Sequence, residues 1–88
     1  MMKKFIINTA ILSPGINPKS CAANAPRMLA KAGVEDVKII SCYCCGSEGR
    51  AVFVAAADNR ETVLSAFNKI NVPVASIMET EETKFKMQ

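Results

Sequence analysis

Two strand-like runs closed by a short glycine-containing turn, Val37 to Ala57, limit this chain more than any other stretch. The first run reads Val-Lys-Ile-Ile-Ser-Cys-Tyr-Cys-Cys, the turn Gly-Ser-Glu-Gly, and the second run Arg-Ala-Val-Phe-Val-Ala-Ala-Ala. β-Branched and aromatic residues favour the pleated, half-buried surface of a sheet, and Gly46 and Gly49 supply the dihedral freedom that a turn needs. Strict alternation groups Val37, Ile39, Ser41 and Tyr43 on one face of the first run, with Lys38, Ile40, Cys42 and Cys44 on the other. On the second run Ala51, Phe53, Ala55 and Ala57 oppose Arg50, Val52, Val54 and Ala56. Both faces are largely apolar, so this hairpin needs cover on its front and on its back.

The remaining segments supply one side of that cover. Lys3 to Leu12 alternates as a strand, with Phe5, Ile7, Thr9 and Ile11 on one face, and Ser13-Pro14-Gly15 ends it. A helix follows, capped by Ser20 or by Asn24; the Asn24 choice puts Pro26 in the first turn, where its missing N–H costs nothing. Met28, Leu29 and Ala32 then form its buried stripe, and Gly33 stops it. Asp58 with Glu61 three residues on has the form of a capping box, ahead of Val63, Leu64, Phe67 and Ile70 at helical spacing. Asn71 can close that helix in the left-handed conformation, and Pro73 restarts an extended segment to Glu79. The tail, residues 79–88, alternates Phe85 and Met87 with Lys84 and Lys86, as a free end or a strand lent to a partner. Strand, helix, strand, strand, helix, strand is the ferredoxin-like βαββαβ pattern: an α+β fold with a four-stranded antiparallel sheet and two helices on one face.

Composition narrows the chemistry. The chain has 88 residues and no histidine, which removes the commonest general base and the commonest metal ligand together. Net charge is +3, from 11 Lys and Arg against 8 Asp and Glu, with no basic run of the kind that grips nucleic acid. Four clustered cysteines do not resemble a secreted disulfide framework, so a reducing, cytoplasmic setting is expected. Met1-Met2-Lys3-Lys4 and the following apolar run mimic a secretory leader, but Asn8 and Thr9 interrupt it and the first strand is needed for the fold. No run is long enough to span a membrane. Half the residues are apolar and mean hydropathy is +0.17, high for one small domain. The back of the sheet, expected to carry Arg50, Val52 and Val54 beside Phe5 and Ile7, is the natural place for that excess. A second copy packed sheet to sheet, as in a dimeric α/β barrel, would cover it.

From Val37 onward the chain resembles small ferredoxin-like families that pair into dimeric α/β barrels, a nickel-binding group among them. The resemblance rests on Ser41 and Tyr43, Gly49-Arg50, Ala57-Asp58 with Glu61, and Val72-Pro73-Val74 before Ile77 and Glu79. It implies a homodimer with a small-ligand or metal site. Phe5-Ile6-Ile7-Asn8 also resembles the first-strand motif of the RNA-recognition domain. That family stacks bases on aromatic rings where this chain has Arg50 and Val52, so nucleic acid is not the expected partner.

Cys42, Cys44 and Cys45 form the sharpest constellation, since thiolates bind zinc or copper(I) well and alternate residues of a strand point the same way. Cys21 or a symmetry mate would complete the set; packed, inert thiols are the structural alternative. Zinc, copper or nickel are the metals to consider. Tyr43, Arg50 and Phe5 are the candidate contacts for a small molecule in the dimer interior, Arg50 for an anion. The leading expectation is a non-enzymatic homodimeric binding protein. A cofactor-free barrel enzyme using Tyr43 or a cysteine is the alternative, and a purely structural or interaction module is the third.

Overall fold

The computed structural model describes residues 2–81. Strand β1 (Lys3–Thr9) leads to helix α1 (Pro18–Lys31), then to strand β2 (Lys38–Cys45). A single 3-10 turn at Gly46–Glu48 connects to strand β3 (Arg50–Ala57), helix α2 (Arg60–Lys69) and strand β4 (Val74–Glu79). The strands pair antiparallel in the order β2-β3-β1-β4, the expected ferredoxin-like α+β arrangement. The tail beyond Glu81, expected to be free or lent to a partner, lies outside the described residues.

Helix α1 differs from the sequence expectation. Asn17 caps it, not Asn24 or Ser20: its side-chain oxygen accepts from the backbone N–H of Lys19 at 2.8 Å and of Ser20 at 3.4 Å. Pro18 then takes the first helical position, where its fixed φ is an advantage. The helix runs through Pro26, which forgoes one internal hydrogen bond, a loss of about 3 kcal/mol in an isolated helix. Ala22, Ala25 and Leu29, spaced to share one face, are buried against the sheet and hold it in place. Gly33 at φ 76° closes it as expected, with Val34 N–H donating to the Leu29 carbonyl.

Helix α2 begins one residue later than its sequence suggests. Asn59 accepts from both the backbone N–H and the hydroxyl of Thr62 at 2.8 Å, so Asp58 is not its cap. Val63, Ala66 and Phe67 face the sheet, whereas Leu64, expected beneath, is exposed. Asn71 does end the helix left-handed, at φ 59°.

The core lies between one face of the sheet and the two helices. Phe53 of β3 meets Phe67 of α2 with ring centroids 5.1 Å apart, and Phe5 and Ile7 of β1 are fully buried beside them. This corrects the placement of Phe5 and Ile7 on the back. In register Phe5 lies opposite Ala55 and Ile7 opposite Phe53, and residues directly opposite across an antiparallel pair share a face. Strand β1 therefore sends its odd-numbered residues to the helices and leaves Lys4, Ile6 and Asn8 on the back. It also stops at Thr9 rather than Leu12, where the buried Thr9 hydroxyl accepts from the Ala51 N–H at 2.9 Å.

Candidate functional site

What reaches the open back of the sheet depends on an irregularity in β2. Ile39 is opposite Ala55, but Ser41 is opposite the next β3 residue, Val54, so Ile40 is an extra residue in a β-bulge. The bulge reverses the alternation. Before it, Ile39 shares the helix side with Ala55. Beyond it, Cys42 opposite Phe53 and Cys44 opposite Ala51 take that side. Ser41, Tyr43 and Cys45, opposite Val54, Val52 and Arg50, go to the back. Ser41 and Tyr43 thus do not share a face with Ile39, and Cys42 and Cys44 do not point into a sheet-to-sheet interior.

The back is ordered in rows across the four strands. Tyr43, Val52, Asn8 and Ser76 form one, tied by a hydrogen bond from Asn8 Nδ2 to Ser76 Oγ at 3.1 Å. Ser41, Val54, Ile6 and Met78 form the next. Ile6, Val52 and Val54 are half-buried, while Tyr43 and Met78 stand 58% and 54% exposed. Charge marks both ends: Lys38, Ala56 and Lys4 close the face on one side, and Arg50 with Cys45 closes it on the other. Among the described residues of these rows every charge is positive. Arg50 Nε is buried without a hydrogen-bond acceptor among the described residues; the nearest carboxylate, Glu48, sits 3.8 Å away.

Of the contacts expected from sequence, Tyr43 and Arg50 do come together on this face, two residues apart along the β2–β3 register. Phe5 does not. It is 0% exposed on the opposite side of the sheet and cannot touch a ligand held on the back.

The thiols divide. Cys42 and Cys44 look toward the helices and Cys45 toward the back, so the three do not converge within one chain. Among the described residues no group of three or more His, Cys, Asp or Glu side chains is placed to hold a metal ion. All four cysteines are free thiols. Cys21 of α1 and Cys42 both pack against the border of the core. Burial pushes both thiols above their ordinary pKa of 9.0, and for Cys21 the neighbouring Cys42 adds to the rise.

That has a consequence for stability. In the unfolded chain these thiols ionise near pH 9.0, while in the folded chain they keep their protons to higher pH. Their contribution is therefore complete below pH 9.0 and is lost as pH rises beyond it. The urea midpoint is expected to fall above that pH, and less steeply in a Cys21→Ala, Cys42→Ala double variant. An unchanged slope in the variant would remove these two thiols as the cause.

Two of the structural features differ in how far the sequence marks them. Asn17-Pro18 is a legible cap-and-first-turn signature, set against Pro26 further along the same helix. The bulge at Ile40 has no local marker, because neither glycine nor proline accompanies it.

Neither a protein-family model nor a curated protein matches this chain. Among solved structures it is similar to a heavy metal binding protein of Thermotoga maritima, determined by NMR. The identity is 19% and the TM-score 0.49, over 88% of this chain and 98% of the other. No helix among the described residues is long and apolar enough to cross a membrane.

Proposed function

We propose that this protein is a non-catalytic binding module that closes the back of its sheet on a second copy and holds a small anionic ligand in the space between. The observation that supports it most is the composition of that back: half-buried Ile6, Val52 and Val54 and exposed Tyr43 and Met78, framed by cations at both ends. Completing the burial of large aliphatic side chains is worth up to ~1.5–3 kcal/mol each. Lys4, Lys38 and Arg50 oppose that gain, since two such faces bring like charges together in any symmetric pairing. An anion between them offsets the repulsion, and the Arg50 guanidinium, whose Nε has Glu48 at 3.8 Å but no hydrogen-bond acceptor, lies on the same face as the Tyr43 hydroxyl to bind it.

Sedimentation equilibrium tests this directly. The protein is expected to dimerise more tightly as citrate is added at constant ionic strength. A monomer at every citrate concentration would remove the proposal.

A thiophilic metal is a second reading, favoured by the neighbouring thiols of Cys21 and Cys42. Two thiolates suit copper(I) better than zinc, which takes four ligands, or nickel. Stoichiometric copper in protein purified without oxygen, lost in Cys42→Ser, would support it.

A further inference from the structure

A cleft of about 500 Å³ lies on the other side of the molecule, where the first turns of α1 face the end of α2. Its wall is apolar: Ile16, Cys21 and Met28 on the α1 side, Ile70 and Val72 on the α2 side. Ser20, Asn24 and Asn71 give it a hydroxyl and amides. None of its lining residues carries a formal charge, whereas three other surface clefts each have at least one Lys, Asp or Glu in their lining. In a chain in which 22% of residues are charged, that separation sets this cleft apart.

We propose that this cleft binds a neutral, mainly apolar small molecule carrying one or two hydrogen-bonding groups. Its volume lies in the ~300–1,000 Å³ range of small-molecule sites, and such sites pair apolar walls with a few polar groups. Two large apolar side chains, Ile16 and Met28, stand 44% and 37% exposed at its edge and would gain cover from a ligand. Asn24 Oδ1 is engaged by Arg27 Nη2 at 3.0 Å, which leaves the amide N–H groups to donate. The Cys21 thiol, whose pKa burial raises above its ordinary 9.0, is protonated at neutral pH and adds no charge to the wall. The lining itself offers an anion no countercharge and a cation no carboxylate, the Arg27 guanidinium being engaged with Asn24 from outside it.

The test uses N-phenyl-1-naphthylamine, a neutral aromatic amine whose fluorescence rises in apolar surroundings, and its anionic relative 8-anilino-1-naphthalenesulfonate. The neutral probe is expected to saturate at one per chain and to bind more tightly than the anion. Met28→Glu puts a carboxylate at the edge of the cleft from an exposed helix position, and is expected to weaken the neutral probe about tenfold or more. Val52→Lys, on the back of the sheet, should leave that binding unchanged, so this site stands or falls apart from the proposed dimer. Failure of the neutral probe to saturate would overturn the proposal. So would equal affinity in Met28→Glu whose far-ultraviolet circular dichroism is unaltered, or loss of the probe in Val52→Lys.

Discussion

Phe53→Ala is expected to lower the free energy of unfolding by about 3–5 kcal/mol, a large share of what holds a domain of this size together. Phe53 is fully buried, lies opposite Ile7 on one side and Cys42 on the other, and meets the Phe67 ring at 5.1 Å and 53°. Its removal opens a cavity where sheet and α2 join. The residues around it cannot collapse into the space easily, because the neighbouring β3 positions on that face are Ala51 and Ala55. Urea denaturation would show a lower midpoint with an unchanged slope if the cavity is the whole effect. A cost below ~1 kcal/mol would mean that the site relaxes far more than a close-packed interior allows.

Val52→Lys is expected to abolish self-association while leaving the fold intact. Val52 sits in the middle of the back between Tyr43 and Asn8, on the face away from the helices. In a symmetric pair each substitution counts twice, and it adds positive charge to a face that already carries Lys4, Lys38 and Arg50. Like charges brought together at an interface cost several kcal/mol, equivalent to a dissociation constant raised by roughly two orders of magnitude or more. The variant should sediment as a monomer at concentrations where the parent protein is paired, with a far-ultraviolet spectrum that does not change. If it pairs as well as the parent, the back of the sheet is not where two copies meet.

The element order was legible because each segment carries its own signal. Period-2 alternation marks β1 and β3, Gly33 and Asn71 mark the ends of the helices, and Pro73 marks the last restart. What alternation does not carry is the choice of face. Lys3–Thr9 has apolar residues at both parities, so only pairing with β3 decides that Phe5 and Ile7 go inward. Helix α1 starts ahead of the sequence expectation because Pro26 argues locally against a helix, and tertiary burial of Ala22, Ala25 and Leu29 outweighs it. At the candidate site, Tyr43 and Arg50 lie on one face two register positions apart, flanking a turn only a few residues long. The cysteine cluster, compact in sequence, separates in space because neighbouring strand positions alternate between faces.

The extra residue at Ile40 acts as a phase shifter for the rest of β2. Deleting it would leave the distal pairing untouched, because Ser41 would follow Ile39 directly and still lie opposite Val54, with Cys42 and Cys44 on the helix side. Keeping it but drawing it into the ladder opposite Val54 would instead turn every later residue over, and Cys42 and Cys44 would surface opposite Val52 and Arg50. One unpaired position thus separates a face of phenol and guanidinium from a face of thiols, with no side chain exchanged.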